Sequence, residues 1–429
     1  MKNIVNVLIT MALLASIAFT PSVLNAQNMA LSKNKTEVPE PARKVKPGLL
    51  REPSYKRLDK LYVLIGEEQY LEAHEGLMKL YKKLDRYPYE KAVVAQAIGH
   101  VLSAQEKFDD AIKYFIIAIE LDALPNTAHY PAMLGLAQLY AAIADWKNTI
   151  SWVARWLEEN PVHTDRAYML LAQSEAQLEH YQKSITAVKK AIKISEDPKE
   201  SWYQLWLAMH FELKEYPQAA NVLEIMVSKF SDKRMYWSQL SSIYMTMKKD
   251  RLALATLAMA YRKGLFEKEV DWKQLYGLYG YLEIPYKAAL VLQDGVDKGI
   301  VDPSLKNWEQ LGGVWYSAHE PKKALAAYAQ AAKLADDGKL DMRRAFMYME
   351  TDSWKEVIPA IKDALNKGGL KDEGNAHLLL GMAYFETGKL NEAVKSIQKA
   401  RKFKKTKKSA GQWLSHIRLE QKRREEDSA

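Results

Sequence analysis

Between residues 92 and 405 the chain alternates short stretches in which large and small apolar residues recur every three or four positions. The last copy is the plainest: His377, Leu380, Gly381 and Tyr384, then Ala393, Ile397 and Ala400. Such spacing puts each set on one face of a helix. It predicts two antiparallel helices in close contact at Gly381, Ala393 and Ala400, with Leu380, Tyr384 and Ile397 filling the space around them. Glu386, Lys389, Asn391, Glu392, Lys395 and Lys399 mark the solvated turn and outer face. Helices of about three turns bury too little to stand alone in water, so neighbouring pairs must complete the core.

The pattern recurs upstream. Gly99, Leu102, Ala111, Phe115 and Ala118 repeat it, as do Ala137, Tyr140, Thr149, Val153 and Trp156. Later copies include Trp237, Leu240, Tyr244, Ala253, Leu257 and Ala260, then Trp308, Leu311, Gly312, Trp315, Ala324, Tyr328 and Ala331. Frames begin near residues 92, 130, 165, 200, 234, 269, 305, 338 and 374, and a weaker first copy has Leu61, Leu64, Tyr70, Ala73 and Leu77. Breakers such as Pro125, Pro161, Pro198, Pro303 and Gly338 separate the copies. This period and choice of residues resemble the tetratricopeptide repeat. The resemblance implies an all-α superhelical solenoid of about ten helix pairs over residues 54–408. In the ninth frame Arg344 stands where the repeat expects Leu.

The ends differ from this repeat. Lys2, an apolar run from Ile4 to Phe19, Pro21 and Ala26 before Gln27 follow the logic of a secretory signal over residues 1–26. Residues 27–53 carry four prolines among Lys, Arg and Glu, which predicts a flexible arm. After residue 408, Trp413, Leu414, Ile417 and Leu419 predict a capping helix over the last repeat, and the charged tail from Lys422 to Ala429 is expected to fray. These ends set the boundaries 409–429 for the cap and tail.

Cysteine is absent, which removes disulfides, thiol catalysis, cysteine-ligated metals and the acceptor of a bacterial lipid anchor. An exported chain with no lipid anchor is expected in the periplasm. The formal charge of +9 is modest for 429 residues, but Lys399, Arg401, Lys402, Lys404, Lys405, Lys407 and Lys408 concentrate it. Export disfavours nucleic acid. The run reads first as cations at a helix C-terminus, with an acidic protein or a membrane surface as the alternatives.

Candidate chemistry is sparse. The nine histidines fall in different repeats without a metal-ligand spacing, and Gly277 with Gly280, or Gly312 with Gly313, match no phosphate-binding loop. Packing is the expected role of these glycines. Trp237, Trp272 and Trp308 recur in register and read as core. No enzyme, cofactor or metal is expected.

In the repeat family, first helices line a concave groove. That register implies a polar half at Gln96, His100, Gln138, Met169, Gln173, Gln204, Ser238 and Ser242. It implies an apolar half at Tyr281, Tyr316, Met342, Phe346, Met349, Leu378, Met382 and Phe385, with Lys273, Lys306 and Glu309 between. The Lys and Asn pattern of relatives that clamp a terminal carboxylate is missing. Residues 201–417 further resemble periplasmic repeat proteins associated with TonB, ExbB and ExbD energy-transduction systems. Tyr236-Trp237, Ala260-Tyr261 with Gly264, Pro285-Tyr286-Lys287, Asp337 to Asp341 and Gly368-Gly369-Leu370 carry this likeness. It implies a non-catalytic scaffold that helps TonB-dependent uptake of iron or nutrients. An adaptor for peptidoglycan or outer-membrane assembly is the alternative.

Overall fold

The computed structural model describes residues 43–45 and 48–428, so the expected signal at 1–26 and most of the arm lie outside the described residues. The described residues form 21 α-helices and no strand, and the chain divides into two compact units between Ser231 and Asp232. In the first unit the helices are α1 (Glu52–Gly66), α2 (Tyr70–Tyr81), α3 (Pro88–Ala104), α4 (Phe108–Glu120), α5 (Asn126–Ala142), α6 (Trp146–Glu159), α7 (Asp165–Gln177), α8 (Tyr181–Ile194), α9 (Glu200–Glu212) and α10 (Tyr216–Lys229). In the second they are α11 (Arg234–Thr246), α12 (Asp250–Arg262), α13 (Glu269–Tyr281), α14 (Pro285–Asp297), α15 (Leu305–Ser317), α16 (Pro321–Leu334), α17 (Lys339–Met349), α18 (Trp354–Lys367), α19 (Glu373–Glu386), α20 (Leu390–Arg401) and α21 (Lys407–Ser428). Each odd helix packs against the even helix that follows and α21 closes the series. Ten pairs and a final helix therefore stand where the apolar period places them.

One turn geometry joins the two helices of every pair. A single left-handed residue recurs at Glu68, Glu106, Ala144, Glu179, Lys214, Lys248, Glu283, His319, Asp352 and Gly388. The amide that follows it returns to the carbonyl five residues earlier, as from Asp145 to Tyr140, Lys249 to Tyr244 and Lys389 to Tyr384, each at 2.8 Å. These bonds satisfy carbonyls that a helix end otherwise leaves bare. Nine of the ten positions carry a Cβ into a backbone region that disfavours it.

Close approach within pairs follows from small residues. A Cβ on Gly99 would lie 2.7 Å from the Phe115 ring, one on Gly312 2.7 Å from the Tyr328 ring and one on Gly381 2.4 Å from Ile397 Cδ1. Ala393 and Ala400 are fully buried, as the spacing predicts. The tryptophans are less uniform: Trp272 is buried, whereas Trp237 and Trp308 are half-buried.

Neighbouring pairs are pinned by a polar residue that the apolar pattern does not announce. The third residue of α3, α13, α15 and α17 is Glu90, Asp271, Asn307 and Asp341, each at most 3% exposed. Glu90 accepts two bonds from the Arg51 guanidinium and one from its backbone N–H, all at 2.8 Å, and one from Ser54 Oγ at 2.6 Å. Asp271 pairs with Arg234 and accepts from the amides of Glu267 and Lys268. Asn307 Nδ2 donates to Glu269 Oε1 at 2.9 Å and to the Asp302 carbonyl at 2.8 Å. Asp341 holds Arg344 at 3.0 Å and Lys367 at 2.7 Å within its own pair, and Lys367 in turn donates to the Ala332 carbonyl of α16 in the pair before. Arg344 thus replaces an apolar contact with an ionic one.

Both ends depart from expectation. Part of the segment read as a flexible arm is docked: Arg43 binds Asp122, the Leu124 carbonyl and Asn126, while Arg51 stacks on the Tyr87 ring at 3.2 Å. At the other end α21 begins earlier than expected and runs through the charged tail to Ser428. Ala410, Leu414 and Ile417 form its buried face. Leu419, expected on that face, is 69% exposed because it lies off the Ala410–Ile417 stripe.

Candidate functional site

First helices in the second unit lie side by side and are linked one repeat apart. Tyr276 OH donates to Gln310 Oε1 at 3.1 Å between α13 and α15. Between α15 and α17, Tyr316 OH donates to the Glu350 carboxylate at 3.2 Å and Arg343 pairs with Glu309 at 3.8 Å. The outward positions of α13 and α15 carry Gly277, Gly280 and Gly313. A Cβ on Gly277 or Gly280 would meet nothing within 4 Å, and one on Gly313 only the Tyr328 hydroxyl at 3.6 Å. Packing explains Gly312, as expected, but not Gly277 and Gly280. Tyr281, 66% exposed, directly follows Gly280, Tyr316 stands three residues after Gly313, and Phe346 is the exposed ring of α17.

The expected groove residues therefore divide. Tyr281, Tyr316 and Phe346 are exposed, and Met342, Met349, Leu378 and Met382 are half-buried. Met342, Met349 and Leu378 lean on the core formed with α18 to α21. Phe385 is not open for a ligand: its ring meets Trp413 at 5.6 Å and His416 at 5.0 Å, so it anchors α21. In the first unit Gln138 is exposed and Gln96, Gln173 and Gln204 are half-buried. Gln96 Nε2 reaches the Ala128 carbonyl at 3.5 Å. Met169 is buried, because its side chain joins the small core of α7 and α8 instead of facing solvent.

Several histidines have structural partners. Trp206 Nε1 donates to His210 Nε2 at 2.9 Å, which leaves the proton on Nδ1 to donate to Glu215 at 2.7 Å. His180 Nδ1 meets Glu175 at 2.7 Å. His163 bridges Tyr168 OH and the Leu157 carbonyl, beside an open hollow of about 500 Å³ that also takes in Lys183 and Lys190. His129 differs. It is 1% exposed, neither ring nitrogen has a hydrogen-bond partner, and Glu159 lies 3.7 Å away. Burial, and then Arg43, lower its pKa. Among the described residues no three His, Asp or Glu side chains converge as a metal site, and no helix is long and apolar enough to cross a membrane.

Comparison with known proteins agrees with this architecture. Tetratricopeptide-repeat models match residues 97–164, 165–198 and 374–405. The protein carries tetratricopeptide repeats, and its fold is the all-α repeat solenoid. No curated protein matches the chain in sequence. Solved structures with similar helix arrays include a tetratricopeptide repeat protein from Parabacteroides merdae, 13% identical over 66% of this chain and 94% of that one, with a TM-score of 0.37. Another is MamA from Desulfovibrio magneticus, 16% identical over 43% of this chain and 99% of that one, TM-score 0.36. A third is YrrB, described as having an unusual peptide-binding site, 14% identical over 42% and 89%, TM-score 0.34.

Proposed function

We propose that the protein is a non-catalytic scaffold of the bacterial periplasm that captures an extended polypeptide on the first helices of its second unit. The stripped surface at Gly277, Gly280 and Gly313 carries this reading. Each glycine inside an exposed helix costs about 1 kcal/mol relative to Ala, and neither Gly277 nor Gly280 recovers that cost in packing. Bare backbone lets another chain approach closely, while Tyr281, Tyr316 and Phe346 offer exposed rings. Repeats are suited to holding several weak contacts at once, which raises effective concentration without new chemistry.

The likeness of residues 201–417 to repeat proteins of TonB systems supports a TonB, ExbB or ExbD component as the partner, and hence a place in energised nutrient uptake. Photoreactive residues at Tyr316, Phe346 and Gln138 in intact cells test both parts. Crosslinks from Tyr316 and Phe346 to a TonB-system protein are expected. Crosslinks to peptidoglycan or outer-membrane assembly proteins would move the protein to envelope biogenesis. Crosslinks from Gln138 alone would place capture on the first unit.

A further inference from the structure

The nine Lys and Arg between Ala393 and Leu419, with no Asp or Glu among them, equal the entire formal charge of the chain, so the remainder is balanced. Arg401, Lys402, Lys404, Lys405, Lys407 and Lys408 are all exposed, and none has a carboxylate partner among the described residues. A helix C-terminus accounts for only part of this run. Arg401 and Lys402 sit where α20 ends, but Lys407 and Lys408 open α21, whose first turn contains no acidic residue. Cations at a helix N-terminus oppose its dipole. Nor does Glu420 of α21 compensate: it lies roughly 20 Å along the helix from Lys407, well beyond a Debye length of about 8 Å, and is held by Arg423 and Arg424. The fold thus holds a concentrated positive field in an electrostatically unfavourable place.

Arg401, Lys404, Lys407 and Lys408 surround an open hollow of about 470 Å³ floored at Gly411. Phe403, 37% exposed, stands in the same turn between α20 and α21. Five of the six cations are Lys. A site for one carboxylate or phosphopeptide favours the planar, bidentate Arg fork. Mobile Lys heads around an exposed aromatic suit a spread-out negative surface instead. We propose that the α20–α21 turn is a docking surface for an anionic lipid bilayer, with headgroup phosphates over the hollow and Phe403 at the interface.

Vesicle partitioning of the full chain tests this, using phosphatidylcholine alone or mixed with phosphatidylglycerol. The variant K404E/K405E/K407E/K408E changes exposed side chains only, and circular dichroism checks its helicity. Wild type should bind the anionic vesicles at least roughly tenfold more tightly than the variant, and the gap should shrink in high salt. Both should bind phosphatidylcholine alike, since any contribution of residues 1–26 is common to them. The F403S variant should weaken anionic binding by a smaller factor. Equal binding of wild type and charge variant to anionic vesicles overturns the proposal. So does a wild type that binds soluble polyglutamate in preference to those vesicles, which would assign the patch to an acidic polypeptide.

Discussion

Ala144 at φ +58° shows how much a single residue's backbone can carry. A Cβ in the left-handed region costs about 1 kcal/mol, whereas Gly adopts it freely, as Gly388 does in the last pair. Ala144→Gly should therefore raise stability by about 0.5 to 1 kcal/mol, read as a higher urea midpoint at unchanged slope. A lower midpoint would show that the turn is not left-handed. At Glu90 the Arg51 guanidinium, helped by Ser54, holds the carboxyl at about 2 despite burial. Its stabilisation is complete above the ordinary carboxylate range and is lost as pH falls towards 2. Glu90→Gln should cost about 2 kcal/mol at neutral pH, measured by chemical denaturation. His129 acts with the opposite sense. Its folded pKa lies below the unfolded one, so protonation favours the unfolded chain and stability falls as pH drops below about 6.5. His129→Leu should flatten the urea midpoint between pH 7.5 and 5.5; an unchanged slope would mean that the imidazole is not desolvated.

Among elements, the glycines of α13 and α15 separate packing from function. Gly312 lies under the Tyr328 ring, so Gly312→Ala should destabilise by about 1 to 3 kcal/mol through overpacking. Gly277 and Gly280 have open space around them, so G277A/G280A should stabilise α13 by roughly 1 to 2 kcal/mol while weakening partner capture. A pull-down beside a denaturation curve distinguishes the two effects. Both classes read alike in sequence. Spacing identified Gly312 because a large residue sixteen positions later returns to meet it, and nothing comparable marks what lies outside Gly277.

For the whole molecule, nearest-neighbour contact governs how damage spreads, because each repeat in a solenoid touches only the next. Leu414→Ala in α21 removes a fully packed side chain from the core shared with α19 and α20. Hydrogen exchange should quicken in the last repeats and remain unchanged in α3 to α6. Uniform loss of protection would require cooperativity across the chain that the local contacts do not supply. The same locality explains why α21 is needed: without it the face around Phe385 and Ile397 would meet water.

The amino-acid sequence by itself determined the helix pairs, their number and their contact points, because burial of one stripe per helix writes a period of three and four into the chain. Tyr140, Tyr244 and Tyr384 were visible as fillers in that period, but not as residues whose carbonyls close a left-handed turn. Only tertiary structure decided which polar residues pin adjacent repeats, since Glu90 and its partner Arg51 lie 39 positions apart and neither is unusual alone. It also decided which apolar groove positions stay open. Tyr316 and Phe385 hold the same position of the repeat, three residues before the left-handed turn residue, yet the helix after the last repeat covers Phe385 while Tyr316 stays exposed. A repeating pattern specifies contacts between like neighbours; at the end of the array the neighbour changes, and so does the fate of the same residue.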